Sequence, residues 1–239
     1  MGKKEETTLG SRVGKIARRV LQGTQQKPHV FLDTGAVIDF EREIALCRLK
    51  DSSVTPDMFY SLFFGLVGDN VWVNDGVFEE IESHHIHHLL GGRPEICDES
   101  YRNVSGMHVR FKDFSRGSIF CGDLDKIRHS TYWASKLAFP NGHKKLCDDE
   151  ASCVDRGLIS SAFHIATIDR NVPYRRQNVF LDFSPVENTN RASVVVVSPD
   201  SHITETIKVL TDSHPTVTYN HPEINWRFGY NGVRAVSSR

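Results

Sequence analysis

The sequence predicts an α/β protein in which a mostly parallel central sheet lies between two layers of helices. Stretches typical of buried strands alternate with stretches of helical periodicity, and this alternation is typical of parallel sheets. Three apolar runs carry the strand prediction: VFL at 30–32, FHIATID at 163–169 and ASVVVVS at 192–198. The 239 residues are 39% apolar and 25% charged, which is the composition of an ordinary globular protein.

A single predicted domain spans residues 28–211, with an extension on either side. The first extension, residues 1–27, carries seven Lys or Arg residues and two Glu, and its apolar residues recur at helical spacing. We interpret it as a basic amphipathic helix that packs its apolar stripe on the domain; contact with nucleic acid is the alternative. The second extension, residues 212–239, shows little periodicity.

Between the strands, periodicity predicts helices and capping residues mark where they begin. GAVIDFEREIALCRL and DMFYSLFFGLV predict two helices, which the short strand VWV follows. Asn74 and Asp75 are N-cap candidates for a helix that begins near Val77 and ends before the next pair of glycines. We also predict a short strand in MHVRFKDF and helices in 122–139, 147–160 and 202–210.

The composition excludes several classes of protein. The five cysteines form no Cys-x-x-Cys pair, so neither a disulfide framework nor a zinc ribbon is indicated, and we expect reduced thiols and a cytoplasmic location. No run of about 18 apolar residues is present, which excludes an ordinary transmembrane helix, and we expect no secretory signal. Because the net charge is -1, any binding of nucleic acid must come from local basic patches.

Carboxylates end two of the predicted strands. Asp33 follows VFL and Asp169 ends FHIATID, and a Thr accompanies each acid, at Thr34 and Thr167. If the two strands are parallel neighbours, about 4.8 Å apart, both acids emerge at the same edge of the sheet. Turn chemistry is the alternative for Asp33, with Thr34 capping the next helix.

Two further acids come from predicted helices. Glu80 lies beside the buried stripe of its helix, and the Ile that follows favours it over Glu79. Asp148 precedes Ala151 by one helical step and competes with its neighbour Asp149, while Asp155 is a more distant choice. A cluster of such carboxylates forms an all-oxygen site, which suits Mg²⁺ or Mn²⁺ and not zinc.

These motifs resemble those of the PIN domain nucleases. The resemblance covers roughly residues 29–200 and rests on VFLDTGAVI, VFEEI, CDDEASCV and ATIDRNV. It implies a PIN-like three-layer fold whose first and last acids close parallel strands, and an endoribonuclease that hydrolyses RNA with Mg²⁺ or Mn²⁺. The implied catalytic and metal-binding acids are Asp33, Glu80, Asp148 and Asp169, with Asp149 as a further ligand.

Other residues are assigned supporting roles. We expect Thr34 and Thr167 to hydrogen-bond the carboxylates, although each is also an ordinary strand or capping residue. Arg170, Arg175 and Arg176 follow the last acid and are candidates for binding RNA phosphates. Aromatic and basic residues also mix in 110–145, a pattern that suits single-stranded nucleic acid or, alternatively, a helix with a solvated basic face.

Two alternatives from other functional classes stay open at this point. One is a PIN-like module that binds RNA as a scaffold without cleaving it. The other is a phosphatase with a nucleophilic Asp33, but the sequence lacks the second acid that commonly follows such a strand, because Thr34-Gly35 stands there. The histidines of SHHIHHLL (84–88) are interpreted as a solvated helix face, and neither homo-oligomerisation nor a protein partner is decided by sequence.

Overall fold

A computed structural model describes residues 8–86, 96–117, 153–171, 192–212 and 233–238. These residues form a mostly helical α/β fold around an all-parallel sheet, which is compatible with the predicted three-layer architecture. The elements, in chain order, are α1 (Leu9–Leu21), β1 (Thr24–Leu32), α2 (Thr34–Arg48), α3 (Pro56–Val67), β2 (Val71–Trp72), α4 (Asp75–Ile86), α5 (Asp98–Gly117), α6 (Cys153–Asn171), β3 (Ala192–Val197), α7 (Ser201–Asp212) and β4 (Val233–Val236).

The described strands lie in the order β2-β1-β3-β4, and every neighbouring pair is parallel. The two central strands are fully buried along their apolar runs, which explains why they read as nearly continuous hydrophobic sequence. Their register pairs Leu32 with Val197. The residues that follow these two strands, Asp33 and Ser198, therefore leave the sheet side by side.

Because the strands are parallel, their carboxyl ends share one side of the sheet, which we call the carboxyl edge. It comprises Asp33 after β1, Asn74 just beyond β2, Ser198 after β3 and Ser237 after β4. Sites of open α/β sheets are built at such edges, where the chain passes from strand to helix.

One strand prediction is wrong, and the error moves a predicted site residue. FHIATID belongs to α6, and the strand beside β1 is ASVVVV of β3. Buried residues continue at helical spacing from Leu158 through Ala162 to Ala166, so the longer apolar pattern overrides the local β-branched residues. The short strand predicted in MHVRFKDF is also wrong, because these residues lie within α5.

Segments near both ends of the sequence pack on the core. The predicted basic amphipathic helix is α1, which buries Val13, Ile16, Ala17 and Val20. Strand β4 lies within the segment that showed little periodicity, and it adds Val233 and Val236 to the core. Among the described helices, none combines the length and apolarity that crossing a membrane requires.

Candidate active site at the carboxyl edge

Asp33 has a buried carboxylate that does not cap the helix it precedes. The residue occupies the N-cap position of α2, but its side chain makes no capping hydrogen bond. Instead, the Ser198 hydroxyl donates to Asp33 Oδ2 at 2.8 Å, and the residue is 3% exposed. Turn chemistry therefore does not explain this acid, because its carboxylate points to the neighbouring strand end.

Thr34 links the first acid to the predicted helical acid. Its hydroxyl donates to Glu80 Oε2 at 2.7 Å, and this hydrogen bond joins α2 to α4. Because Thr34 is the first residue of α2 and its hydroxyl binds Glu80, the alternative in which Thr34 caps the helix is wrong. The contact also distinguishes Glu80 from its neighbour Glu79 as the glutamate held beside Asp33.

Ser198 joins Asp33 to a second acid that the sequence motifs did not identify. The Asp200 backbone N–H donates to Ser198 Oγ at 3.0 Å, while the same hydroxyl donates to Asp33. The Ser-x-Asp turn after β3 thus fixes both carboxylate-bearing segments. Pro199 lies between Ser198 and Asp200 and packs closely on Gly35. A Cβ built on Gly35 would lie 2.5 Å from Pro199 Cγ.

The electrostatics of Asp33 oppose its ionisation. Burial raises the pKa of its carboxyl from 3.8 to about 6, and the negative charges of Asp200 and Glu80 add to the increase. The hydrogen bonds from Ser198 and from the Thr34 backbone act in the opposite direction. Asp33 therefore lies within electrostatic reach of Glu80 and Asp200, which are far from it in sequence, and we call these three residues the acidic group.

The residues predicted for the last acidic motif do not occupy a strand end. Asp169, Thr167 and Arg170 lie in the final turns of α6, so placing Asp169 beside Asp33 through strand pairing was wrong. Asp148 and Asp149, predicted as the third acid, lie outside the described residues. Arg175 and Arg176, predicted to bind RNA, also lie outside them.

Of the three candidates for the third acid, Asp155 is the one that lies within the described residues. It lies in the first turn of α6, in a segment that packs on the beginning of α4. A Cβ built on Gly76 would lie 3.4 Å from Val154, and one built on Gly157 would lie 3.6 Å from Asn74 Nδ2. The beginnings of the helices that carry Asp155 and Glu80 are therefore in contact.

The sequence did contain a signal for Ser198 and Asp200. VVVV followed by Ser-Pro-Asp has the same form as the motif assigned to Asp169, an apolar run, a hydroxyl residue and an acid two positions later. Four consecutive valines are also a stronger strand signal than FHIATID. The Thr-x-Asp of ATID has this form too, but it lies within α6 and does not follow a strand.

The donor chemistry of these acids fits a hard divalent cation. Every side chain of the acidic group offers carboxylate oxygen, which Mg²⁺ and Mn²⁺ prefer, and without a cation the charges of Glu80 and Asp200 oppose the ionisation of Asp33. Within the described ranges, however, no three His, Cys, Asp or Glu side chains stand together as a metal-binding group. The acids are coupled electrostatically but are not gathered into a complete ligand set.

The described histidines of the SHHIHHLL stretch have structural contacts. The ring of His85 stacks on Tyr101 with centroids 4.3 Å apart, and its Nδ1 lies 3.3 Å from the Ile96 carbonyl oxygen. Packing between α4 and α5 accounts for this residue. His87 and His88 lie outside the described residues.

In comparisons with known proteins, no family profile, no curated protein and no solved structure matches this chain.

Proposed function

We propose that this protein is a divalent-metal-dependent nuclease whose site is the acidic group at the carboxyl edge, and that its substrate is RNA. The observation that carries the proposal is Asp33, a buried carboxylate at a strand end that is coupled to Asp200 and Glu80. Keeping such an acid destabilises the fold, so a role outside folding accounts for it better. RNA as the substrate, and an endonucleolytic mode, rest on the resemblance to PIN domain nucleases.

The proposal assigns the cation to Asp33, Glu80 and Asp200, which a metal would have to draw together because they do not stand as a ligand group without it. Asp155 is the helical acid to test beside Asp148 and Asp149. Asp200 replaces Asp169 because it follows the strand adjacent to β1. When bound, a divalent cation would supply a more acidic water and charge neutralisation for the phosphodiester. Ser198 and Thr34 would hold the carboxylates in place by donating to Asp33 and Glu80.

The test is cleavage of labelled RNA and DNA by the wild type and by the Asp→Asn variants at positions 33, 200 and 169, in Mg²⁺, Mn²⁺ or EDTA. We expect wild-type cleavage of RNA that EDTA abolishes. Loss of a ligand should reduce the rate by at least about 100-fold in Asp33→Asn and Asp200→Asn. Asp169→Asn is the matched comparison, and we expect it to keep most of the activity.

Several results would contradict the proposal. If clean wild-type protein cuts neither RNA nor DNA in any metal, the protein is not a nuclease. If it then still binds RNA, the result favours the module that binds RNA without cleaving it. If the Asp33→Asn variant is as active as wild type, the acidic group does not take part in catalysis. If Asp169→Asn loses activity and Asp200→Asn keeps it, the last acid of the site is Asp169 and not Asp200.

A further inference from the structure

The residues after β4 anchor the chain on helix α2 through a buried polar contact. Ser238 is 4% exposed, and its hydroxyl donates to Asp39 Oδ2 at 2.6 Å. The other carboxylate oxygen of Asp39 accepts from Arg42 Nη1 at 2.9 Å. Asp39 itself is 5% exposed, so this contact joins two buried side chains that are 199 positions apart.

Strand β4 also contacts Ser198, the residue that donates to Asp33. The Ser198 backbone N–H donates to the carbonyl oxygen of Val236 at 3.0 Å, two residues before Ser238. The Ser198 hydroxyl then donates to Asp33 Oδ2 and accepts from the Asp200 N–H. One path of hydrogen bonds and backbone therefore runs from Asp39 through the end of β4 to both acids.

Strand β4 needs such an anchor because it is short and lies at the edge of the described sheet. It has four residues, and β3 is its neighbour in the ladder. The ends of short edge strands open locally at a small free-energy cost. If the end of β4 separates from β3, the Ser198 N–H loses its acceptor, and the backbone that carries the Ser198 hydroxyl loses one of the contacts that fix it beside Asp33.

We propose that Ser238 is a positioning residue for the acidic site, because its hydrogen bond to Asp39 fixes the end of β4 and thereby orients Ser198 toward Asp33. Residues 233–238 then belong to the site although none of them is a proposed ligand. The consequence for catalysis rests on the proposed function. The positioning itself does not, and it is measured without metal or substrate.

The first experiment uses metal-free full-length protein and nuclear magnetic resonance. Ser238→Ala removes the hydroxyl, Ser238→Thr retains it, and Ser237→Ala is the control at the exposed neighbouring position. We expect amide hydrogen exchange at Ser198 to become about tenfold faster in Ser238→Ala. The carboxyl ¹³C shift of Asp33 should change in the same variant, and both signals should stay near wild type in Ser238→Thr and Ser237→Ala.

The second experiment measures the consequence at the site. Mn²⁺ affinity by calorimetry should weaken about 10–100-fold in Ser238→Ala, the range for losing a residue that orients a ligand. The kcat for RNA cleavage should fall while KM stays close to wild type, because the change affects the acids more than substrate contacts. Ser238→Thr, which keeps the hydroxyl, should have Mn²⁺ affinity and kcat close to wild type. A general loss of stability in Ser238→Ala would not by itself produce a fall in kcat at unchanged KM.

Each outcome supports or overturns the inference. Unchanged Ser198 exchange and an unchanged Asp33 shift in Ser238→Ala would overturn it, whether or not the protein is a nuclease. Altered signals with unchanged Mn²⁺ affinity and kcat would overturn the link to the site. If wild type binds no metal and cuts nothing, the proposed function fails, and the metal-free signals still decide the positioning. If Ser238→Ala does not fold, Ser238→Cys, with its weaker donor, should give intermediate changes.

Discussion

Asp33 is the residue at which the proposed function and the stability of the folded protein conflict most clearly. Its folded pKa of about 6 lies above the ordinary value of 3.8, so folding favours its protonated form. Its contribution to stability is fully present below pH 3.8 and is lost as the pH rises through 6. Above that pH, the charged carboxylate destabilises the folded state by about 3 kcal/mol.

Replacing Asp33 with Asn should therefore stabilise the metal-free protein at pH 8. Asn keeps an oxygen that can accept from Ser198 but carries no charge, so we expect the free energy of unfolding to rise by about 1–3 kcal/mol. At pH 4 the difference should nearly vanish, because Asp33 is then largely protonated in the folded state. Urea unfolding at the two pH values measures both effects.

Asp69→Asn is the control for that measurement, since Asp69 is an exposed acid outside the site. We expect its stability to differ from wild type by less than about 0.5 kcal/mol at either pH. A destabilised Asp33→Asn at pH 8 would show that the hydrogen bonds of the ionised carboxylate outweigh its burial, contrary to the raised pKa.

At the scale of the element, sequence predicted the helices and strands best where the pattern was long or uniform. ASVVVV and HITETIKVL form β3 and α7 as expected, and VFL lies in β1. FHIATID failed because a seven-residue window held β-branched residues, while the buried stripe that fixes α6 begins well before it. Local motifs pointed to Asp33 and Glu80 as candidate site residues, whereas Asp200 becomes a candidate only once the strand that neighbours β1 is known, which is a tertiary property.

Two helix glycines offer a matched test of close packing at the carboxyl edge. A Cβ on Gly35 in α2 would meet Pro199 Cγ at 2.5 Å and Cδ at 2.9 Å, whereas one on Gly106 in α5 would meet nothing within 4 Å. We expect Gly106→Ala to stabilise the protein by about 0.5–1 kcal/mol through helix propensity. Gly35→Ala should destabilise it by about 1–3 kcal/mol through steric overlap. Urea unfolding of both variants provides the comparison.

The Gly35 variant also reports on the site, because Pro199 lies between Ser198 and Asp200. Displacement of Pro199 should reduce RNA cleavage in Gly35→Ala and leave Gly106→Ala at the wild-type rate. If Gly35→Ala is as stable as wild type, Pro199 can move aside freely, and the close packing of this turn on α2 has no energetic weight.

At the scale of the whole molecule, the sheet is completed by a strand far along the chain. A chain ending at residue 232 lacks β4 and the buried side chains of Val233 and Val236. Loss of two buried valines costs about 3–6 kcal/mol, a large part of the 5–15 kcal/mol typical of a domain. We expect a much lower urea midpoint for this chain than for one ending at Ser238, which keeps the strand and its anchor. Equal midpoints would show that β4 adds little to the fold.

The hydrogen bond between Ser198 and Asp33 also sets an order of events during synthesis. It joins residues 165 positions apart, and a ribosome adding about 5–20 residues per second needs roughly 10–30 s to make the intervening chain. The acceptor for the Ser198 N–H, the carbonyl of Val236, emerges later still. Until then the nascent polypeptide carries Asp33 without the strand end that supplies its buried hydrogen bond.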